Sequence, residues 1–542
     1  MKKFVLGIDF GTLSARAVLA DTESGKQIYS ASCEYSHGVM EEKLCTGVDL
    51  PEGFALQHPE DYTKALASVI NEITKKSGVE KEDIAALGID FTTCTLLPID
   101  EDGRPLCLLE KFKNEPHAYV KMWKHTSPQS EADEINALAN ELSEPWIKCY
   151  GGKLASQFAL PKILETLRKA PEVYEAAHRF IEAGDYINLV LTGKESRGAA
   201  FAGYKAAIAP DGSYPSDRFL SRLDERLCGI YKTKLCGDLL PAASVAGVVS
   251  AEGAARFGLA EGTVVATAMP DAHAAMPALG ATKEGELMAV LGTSACYIIN
   301  SKTKVDLEGI CGYVKDGVIP DTYTYEAGQA ALGDILAGFV KYSAPADYKK
   351  EAEDMGIDLH TLLTKKAKML TPGESRLIAL DWQGGNRSVL TNSNLRGVMV
   401  GMTLNTRPEE IYRALIEATA FGARIIVENY EDGSIAVERL FAAGGIAAKN
   451  ELLMQIYADV LNREIRVMDT KEAAALGSAI YASVAAGFFD SVTEAAERMS
   501  APLKRIYTPN PDSVSIYNRL FKEYKALHDY FGIENKGIFD RI

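Results

Sequence analysis

The sequence lacks most of the short motifs by which metal and nucleotide sites are recognised. Its nine cysteines include no CxxC pair and its eight histidines form no HExxH or other close pair, so neither a disulfide framework nor a zinc site is predicted. The phosphate-binding patterns GxxxxGK[ST] and GxGxxG are also absent, which disfavours a P-loop or a Rossmann site. The cysteines are expected to be reduced thiols in a cytoplasmic protein.

Long apolar runs and an excess of positive charge are missing as well. The longest uncharged stretch, residues 473–489, is too short and too rich in alanine, serine and glycine to span a bilayer. The first ten residues hold too short an apolar run for a signal peptide. The net charge is −16, from 58 basic and 74 acidic residues, so neither nucleic acid nor an anionic membrane is expected as a partner. A small polyanion held by backbone amides is compatible with this charge.

Two similar hairpins divide the chain. A predicted strand at 3–9 leads through a tight turn at Gly11 to a returning strand at 14–20, and 287–291 leads through Gly292 to 295–300 in the same way. The two glycines lie 281 residues apart, about half the chain length of 542, which indicates an internal duplication. Elsewhere strands alternate with helices, so an α/β fold with helix-covered sheets is predicted.

The remaining pattern predicts the following elements and lobes. Amphipathic helices are expected at 59–77, 130–142, 158–170 and 408–429, with a further helix at about 449–461. Strands are expected at 84–91, 94–99, 263–268 and 440–443, with 94–99 as the hairpin partner of 84–91. Placed by the duplication, the lobes are 1–266 and 267–490, followed by a helical extension at 491–542.

The Gly-Thr hairpin tips are candidates for phosphate binding. Glycine lets an anion approach the backbone closely, and threonine adds a hydroxyl donor, at Gly11-Thr12 and again at Gly292-Thr293. Asp9 ends the first strand, where a carboxylate suits Mg²⁺ held through water molecules. A single such tip is more often a plain turn, but two tips at matching places favour the phosphate-binding interpretation.

Two acids and one lysine are candidates for contact with a polyol. Asp271 follows a predicted strand and opens a predicted helix at 272–279, so it is either a helix N-cap or a general base at the carboxyl end of a sheet. Glu326 also stands where a strand is expected to meet a helix, and a carboxylate accepts hydrogen bonds from sugar hydroxyls. Lys205 suits a hydroxyl- or carbonyl-bearing substrate, although composition alone favours a solvated surface lysine.

A diglycine at Gly444-Gly445 lies between a predicted strand and the predicted helix that begins at about Lys449-Asn450. It either forms a plain turn or lets a flat ring or a phosphate approach the backbone at a helix N-terminus.

Together these strings resemble the FGGY carbohydrate kinases of the actin-like ATPase superfamily. The likeness rests on GIDFGTLSARAVLAD, LGTSACY, Asp271 after a strand, and AAGGIAAKN; the segment 397–417 is similar to the second family signature except at Leu415. Further strings, among them ALGIDFTTCTLLPIDEDGRPL, YGGKLASQFALPKI and EAGQAALGDI, are similar to the family members that phosphorylate L-ribulose. The resemblance implies an α/β fold of two actin-like (ribonuclease H-like) lobes with a cleft between them.

The resemblance also implies the reaction: with Mg²⁺ as cofactor, the enzyme phosphorylates the ketopentose L-ribulose with ATP and forms L-ribulose 5-phosphate in L-arabinose catabolism. The alternatives are a kinase for another pentulose or polyol, such as D-ribulose, xylulose or ribitol, and, from another class, an actin-like structural or chaperone ATPase. The oligomeric state is open, a homodimer included. Two departures from the family pattern, Pro270 before the acid and the stretch 385–388, leave the sugar preference open.

The resemblance assigns roles to single residues. These are Asp271 as catalytic base; Thr93, Cys94, Lys205, Asp271 and Glu326 as sugar contacts; Gly11, Thr12, Gly292, Thr293, Gly444, Gly445 and Asn450 as ATP contacts; and Asp9 as the acid near the metal.

Overall fold

The computed structural model describes residues 3–235 and 237–542, and the chain divides into two compact units. The first unit comprises Met1–Thr282, Tyr313–Thr324 and Glu472–Ala501, and the second comprises Lys283–Gly312, Tyr325–Lys471 and Pro502–Ile542. This division differs from the predicted lobe boundaries at 266 and 490. Two later segments return to the first unit because they pack against its helices and its sheet.

The strands, in chain order, are β1 (Phe4–Phe10), β2 (Ser14–Asp21), β3 (Gln27–Glu34), β4 (Leu56–Gln57), β5 (Ile84–Phe91), β6 (Leu96–Ile99), β7 (Val120–Lys121), β8 (Arg179–Glu182), β9 (Arg197–Gly198), β10 (Leu239–Leu240), β11 (Val245–Val248), β12 (Val264–Ala266), β13 (Met269–Pro270), β14 (Glu286–Leu291), β15 (Ala295–Ser301), β16 (Gly312–Lys315), β17 (Tyr323–Gln329), β18 (Ile378–Leu380), β19 (Val398–Val400), β20 (Arg439–Ala443), β21 (Glu464–Met468) and β22 (Leu503–Tyr507).

The α-helices are α1 (Pro59–Lys76), α2 (Gln129–Glu141), α3 (Ala159–Lys169), α4 (Pro171–Ala176), α5 (Ala183–Thr192), α6 (Ala199–Lys205), α7 (Asp217–Leu223), α8 (Ile230–Thr233), α9 (Ala251–Phe257), α10 (Asp271–Ala278), α11 (Gly333–Tyr342), α12 (Ala346–Asp354), α13 (Leu359–Lys368), α14 (Pro408–Asp432), α15 (Gly445–Lys449), α16 (Glu451–Leu461), α17 (Ala473–Ala485), α18 (Val492–Met499), α19 (Pro511–Asp529) and α20 (Ile538–Arg541).

The main sheet of the first unit has the strand order β11-β12-β5-β1-β2-β3, and β13 pairs with the end of β5. β1 is antiparallel to β2 and parallel to β5. Both β1 and β5 are almost continuously apolar and buried, as expected for strands covered on both faces. Helix α1 packs on β2 and β3, and α17 packs on β1 and β5.

The main sheet of the second unit repeats this topology. Its seven strands run in the order β16-β17-β15-β14-β20-β21-β22, of which the last six correspond to the first sheet, with β14 antiparallel to β15 and parallel to β20, and β21 antiparallel to β22. The pairings of β14 therefore match those of β1, and the second hairpin occupies the place of the first. The predicted internal duplication is confirmed at the level of topology.

Three short approaches of backbone to backbone hold α17 on the first unit. Glycine is required at Gly7 and Gly88 of the sheet, because an added Cβ would overlap the backbone of Ala475 and of Ser478. Within α17, a Cβ on Gly477 would overlap the carbonyl oxygen of Ala274 in α10. The uncharged stretch 473–489 is thus a close-packed helix of the first unit.

The predicted helices at 59–77, 130–142, 158–170 and 408–429 are confirmed as α1, α2, α3 and α14. The predicted hairpin of 94–99 with 84–91 is wrong: β6 pairs with β7 and β8 in a separate small sheet. The reason is a left-handed turn at Cys94, with φ of 62°, which leads the chain out of the main sheet.

The segment 491–542 differs from the predicted helical extension. Helix α18 belongs to the first unit, β22 forms the edge of the second sheet, and α19 packs into the second unit. Buried hydroxyls anchor α19, since Tyr524 donates to Asp381 Oδ1 at 2.8 Å and Tyr517 donates to Glu417 Oε1 at 2.9 Å.

Over the described ranges, no helix is long and apolar enough to cross a membrane. The eight cysteines within those ranges are free thiols, as the sequence predicts, and Cys236 lies outside the described residues.

Candidate active site

Three carboxylates lie at the carboxyl ends of neighbouring parallel strands in the first unit. Asp9 of β1 is in register with Asp90 of β5, and Asp90 is in register with Met269 of β13, directly before Pro270 and Asp271. Ligand sites of open α/β sheets form at this edge. Asp90 is not among the residues predicted from the sequence. Residues 6–10 and 87–91 have the same sequence, LGIDF, and this repeat could have identified Asp90 from its likeness to Asp9.

The first two of these acids sit in an environment that disfavours negative charge. Burial raises the pKa of Asp9, and the Arg16 guanidinium, whose Nη1 lies 3.5 Å from Oδ2, partly offsets that rise. Burial, followed by the neighbouring Asp9 charge, raises the pKa of Asp90 well above its ordinary value. Ser478 donates to Asp90 Oδ2 at 2.6 Å. A cation beside these oxygens would relieve their mutual repulsion.

Asp271 is the first residue of α10, and Pro270 occupies the N-cap position. The N-cap interpretation of this acid is therefore wrong. Its Oδ1 accepts a hydrogen bond from the backbone N–H of Ala272 at 2.7 Å, which fixes the half-buried carboxylate at a helix N-terminus. His273, two residues further along α10, is buried against the ring of Tyr204 at a centroid distance of 4.2 Å and so has a packing role.

The two Gly-Thr tips close in the same manner. Gly11 N–H donates to Ser14 O at 3.0 Å, and Gly292 N–H donates to Ser294 O at 2.9 Å. Both tips leave the threonine at least partly accessible, and Thr293 is exposed. The arrangement fits backbone contact with phosphate oxygens on both hairpins.

The first tip has two partners that sequence analysis missed. Gln57 Nε2 donates to Thr12 O at 2.8 Å, and Trp123 Nε1 donates to Thr12 Oγ1 at 3.1 Å. Trp123 is 45% exposed, which is unusual for so large an apolar side chain. These residues lie 45 and 111 positions from Thr12, so no local pattern in the sequence connects them.

Helix α3 contacts the Thr93-Cys94 turn, and Phe158, the residue directly before α3, contacts Lys205. Cys94 is buried, burial raises the pKa of its thiol to about 12, and its carbonyl oxygen accepts a hydrogen bond from Lys162 Nζ at 2.5 Å. Lys205 ends α6, and its ammonium lies 4.6 Å from the ring centroid of Phe158. Lys205 is half buried.

In the second unit, Glu326 lies inside β17 instead of at its end, which corrects the predicted position. The side chain is buried, and its Oε1 accepts a hydrogen bond from Arg387 Nη2 at 2.7 Å. Arg387, 61 positions away, is the partner that sequence analysis did not identify. The ion pair holds Glu326 charged and fixed in orientation.

The diglycine stands between β20 and α15, as predicted, and its two residues have different constraints. Gly444 has φ of 103°, and an added Cβ would overlap Leu291 O, so the fold itself requires glycine there. At Gly445 an added Cβ would meet no heavy atom within 4 Å. The predicted helix at 449–461 is interrupted at Asn450, whose side chain caps α16 by accepting from Leu453 N at 3.0 Å.

Among the residues that the structure describes, no group of three or more histidine, cysteine, aspartate or glutamate side chains is placed to hold a metal ion. The pair Asp9 and Asp90 nevertheless offers hard oxygen donors in a buried, charge-poor setting. Such donors fit Mg²⁺, which keeps part of its water shell and needs few protein ligands.

Comparison with known proteins identifies the class. The model of the N-terminal domain of the FGGY family of carbohydrate kinases matches residues 4–278, and the model of the C-terminal domain matches residues 287–486. The chain therefore belongs to the FGGY family: it is a carbohydrate kinase, an enzyme that uses ATP. This result decides against the structural or chaperone ATPase of the same superfamily.

The relatives narrow the class further. The chain is 45% identical to a ribulokinase from Halalkalibacterium halodurans, over 100% of this chain and 97% of the relative, and 43% identical to one from Mycolicibacterium smegmatis, over 98% and 95%. A xylulose kinase from Rhodospirillum rubrum shares the fold with a TM-score of 0.82 at 23% identity, over 98% of this chain and 99% of that one. The predicted α/β fold with two actin-like ATPase domains is thereby confirmed.

Proposed function

We propose that this protein transfers the γ-phosphoryl group of ATP to the terminal hydroxyl of L-ribulose, forming L-ribulose 5-phosphate in L-arabinose catabolism. The observation that carries the proposal is the position of Asp271 at the carboxyl end of a strand, beside Asp9 and Asp90, in a chain about 45% identical to ribulokinases over its full length. An alternative substrate is another pentulose or polyol.

Asp271 is the general base of the proposed reaction. Its carboxylate accepts the proton of the terminal hydroxyl as that oxygen bonds to the γ-phosphorus, and the bond from phosphorus to the bridging oxygen breaks, releasing ADP. The hydrogen bond from Ala272 N and the helix N-terminus favour the ionised carboxylate and fix its direction. Positioning and charge stabilisation supply most of the catalysis in this chemistry.

Mg²⁺ is the proposed metal, and it would neutralise phosphate charge when bound with ATP. Asp9 is the residue proposed to hold it, through water, and Asp90 lies in register beside it at the same strand edge. Arg16, 3.5 Å from Asp9, holds the Asp9 carboxylate in place.

The proposed nucleotide contacts are the backbone of Gly11-Thr12 and Gly292-Thr293 and the segment from Gly444 to Asn450. The hairpin tips supply N–H groups to phosphate oxygens, and the open space at Gly445 accommodates a ligand against the backbone. Sugar contacts are proposed for Lys205, Glu326 and the Thr93-Cys94 backbone. Lys205 is aimed by its contact with Phe158, and Glu326 by Arg387, so both side chains are fixed before a sugar arrives.

We also propose a cytoplasmic location, which the free thiols among the described residues support. A homodimer is proposed as well, and light scattering of the purified protein would test it.

A panel of ketopentoses and polyols tests the proposed substrate. The value of kcat/KM for sugar-dependent release of ADP should be highest with L-ribulose and lower with D-ribulose, xylulose and ribitol. Polar groups that are fixed in the site would be left without a hydrogen-bond partner by a sugar whose hydroxyls point elsewhere. The control is ADP release without sugar, which should be slow. No stimulation by any ketose or polyol would refute the proposed reaction, and a clear preference for another sugar would move the proposal to that substrate.

The diglycine gives a matched test of nucleotide binding. Gly445→Ala should leave the melting temperature close to that of the wild type and raise KM for ATP roughly tenfold, about 1.4 kcal/mol, because the methyl group meets only ligand. Gly444→Ala should instead destabilise the fold by about 1 to 3 kcal/mol, since its left-handed backbone and Leu291 O exclude a side chain. Thermal melts and steady-state kinetics separate the two, and an unchanged KM in Gly445→Ala would contradict a nucleotide contact there.

A further inference from the structure

The side chain of Lys162 is a fully buried cation that the reaction described above does not use. It lies on α3 and is 0% exposed. Its ammonium donates to three backbone carbonyl oxygens: Cys94 O at 2.5 Å, Met122 O at 2.9 Å and Lys121 O at 3.3 Å. Three hydrogen bonds saturate the donors of a lysine, so the group is fully committed to holding backbone.

The three carbonyls belong to two segments of the candidate site. Cys94 is the left-handed residue of the Thr93-Cys94 turn, and Lys121-Met122 lead directly to Trp123. Trp123 in turn donates to the hydroxyl of Thr12 on the first hairpin tip. A single ammonium therefore ties the proposed sugar-binding turn to the segment that contacts the proposed phosphate-binding tip.

Charge in the surroundings explains why an ammonium is tolerated there. Burial lowers the pKa of Lys162, and the neighbouring Cys94, Glu182 and Glu165 oppose that change, although burial also raises the pKa of Glu182 to about 7. Glu182 is itself buried at the end of β8, and Leu96, two residues after the turn, is paired with it. Carbonyl oxygens supply the hydrogen bonds, and carboxylates at longer range supply the charge balance.

The same helix also supports Lys205. Phe158, the residue that precedes α3, lies beneath the Lys205 ammonium, and Lys162 is one helical turn further along. Two of the proposed sugar contacts thus take their positions from one end of α3.

We propose that Lys162 is a positioning residue for the sugar: by clamping the carbonyl of Cys94 to those of Lys121 and Met122, it holds the Thr93-Cys94 backbone in the conformation that binds the ketose. The inference rests on the proposed function, since it deepens the account of that same site. Lys162 contacts neither the nucleotide nor the reacting atoms in this scheme. Its loss should act mainly on sugar binding, because Cys94 belongs to the proposed sugar-binding turn itself, whereas the phosphate-binding tip is reached indirectly, through Trp123.

The kinetic test compares Lys162→Met with two matched variants. Lys162→Met should lower kcat/KM for L-ribulose roughly 10- to 100-fold, mainly through KM for the sugar, with a much smaller change in KM for ATP, because the displaced turn is the proposed sugar contact. Lys169→Met makes the same change at an accessible position of α3, where the lysine is bonded to Glu165, and should behave as the wild type. Lys121→Met removes another buried lysine, whose ammonium donates to Glu165, Thr166 and the backbone carbonyl of Lys162 but not to the Thr93-Cys94 turn, and should lower stability while KM for the ketose stays within about twofold of the wild type.

Alkylation of Cys94 tests the clamp without substrate. In the purified wild-type enzyme, labelling by iodoacetamide, followed by peptide mass spectrometry, should be slow because the thiol is buried and its pKa is raised. Lys162→Met should accelerate labelling of Cys94 at least about tenfold relative to that of Cys149, a second buried cysteine, whereas Lys121→Met should not. Lys162→Gln, which keeps amide donors, should fall between Lys162→Met and the wild type, and it replaces Lys162→Met if that variant fails to fold.

Unchanged labelling of Cys94 in the Lys162 variants, or an equal rise of the ketose KM in Lys121→Met, would overturn the inference. If the wild type phosphorylated no ketose, the proposed function would fail, and the labelling experiment would still report separately whether Lys162 holds the turn.

Discussion

Asp271→Asn should lower kcat by roughly 10² to 10⁴, the usual span for loss of a general base, while the affinity for ATP stays near that of the wild type. An asparagine side-chain oxygen can still accept the hydrogen bond from Ala272 N, so the loop and α10 are expected to keep their geometry. What is lost is the capacity to take the proton of the sugar hydroxyl. Steady-state kinetics with L-ribulose and calorimetric titration of ATP measure the two effects.

The control for this variant is Asp217→Asn. Asp217 is likewise the first residue of a helix, α7, and is exposed. The same change of charge at a helix N-terminus should leave kcat within about twofold of the wild type. Near-wild-type turnover in Asp271→Asn would remove this residue from the mechanism, and so would an equal loss in both variants.

Gly477→Ala should destabilise the protein by about 3 to 5 kcal/mol or prevent folding, the largest effect on stability that we expect from a single methyl group. By helix propensity alone the change would gain about 1 kcal/mol. The added Cβ, however, would overlap Ala274 O, a backbone atom that cannot rotate away, so α17 must move off α10 and off the sheet. The overlap outweighs the propensity, and chemical denaturation would measure the difference.

Gly338→Ala provides the matched control in α11. Its added Cβ would meet no heavy atom within 4 Å, so the gain in helix propensity of about 0.5 to 1 kcal/mol should appear as a small stabilisation. If Gly477→Ala were as stable as Gly338→Ala, the close approach of α17 to α10 would be refuted.

Local pattern carried a large part of the fold and part of the site. The alternation and apolar runs around Gly11 and Gly292 predict both hairpins, and their spacing predicts the duplication that the two sheets display. Asp9 and Asp271 were identified because an acid at the end of a short apolar strand is a local feature. The repeated LGIDF could have added Asp90 by the same logic.

The hydrogen-bond partners of the site residues lie far apart in the chain, and no local sequence pattern predicts them. Trp123 meets Thr12 across 111 positions, and Arg387 meets Glu326 across 61, and only the folded chain brings each pair together. Lys162 was not predicted for a related reason. A lysine in an amphipathic helix is normally on the solvated face, and no feature of the neighbouring sequence indicates that its ammonium donates to three carbonyl oxygens.

The α/β class, the two hairpins, the acids at the strand ends and, through its motifs, the kinase family can all be read from the amino-acid sequence. Tertiary structure decided which later segments join each unit, that β6 leaves the main sheet, and which side chains hold the site residues in place. The physical reason is the separation along the chain between the residues that interact. Strand and helix periodicity depends on neighbours a few residues apart, whereas close packing such as that of Gly477 on Ala274 and ion pairs such as that of Glu326 with Arg387 depend on segments that meet only after folding.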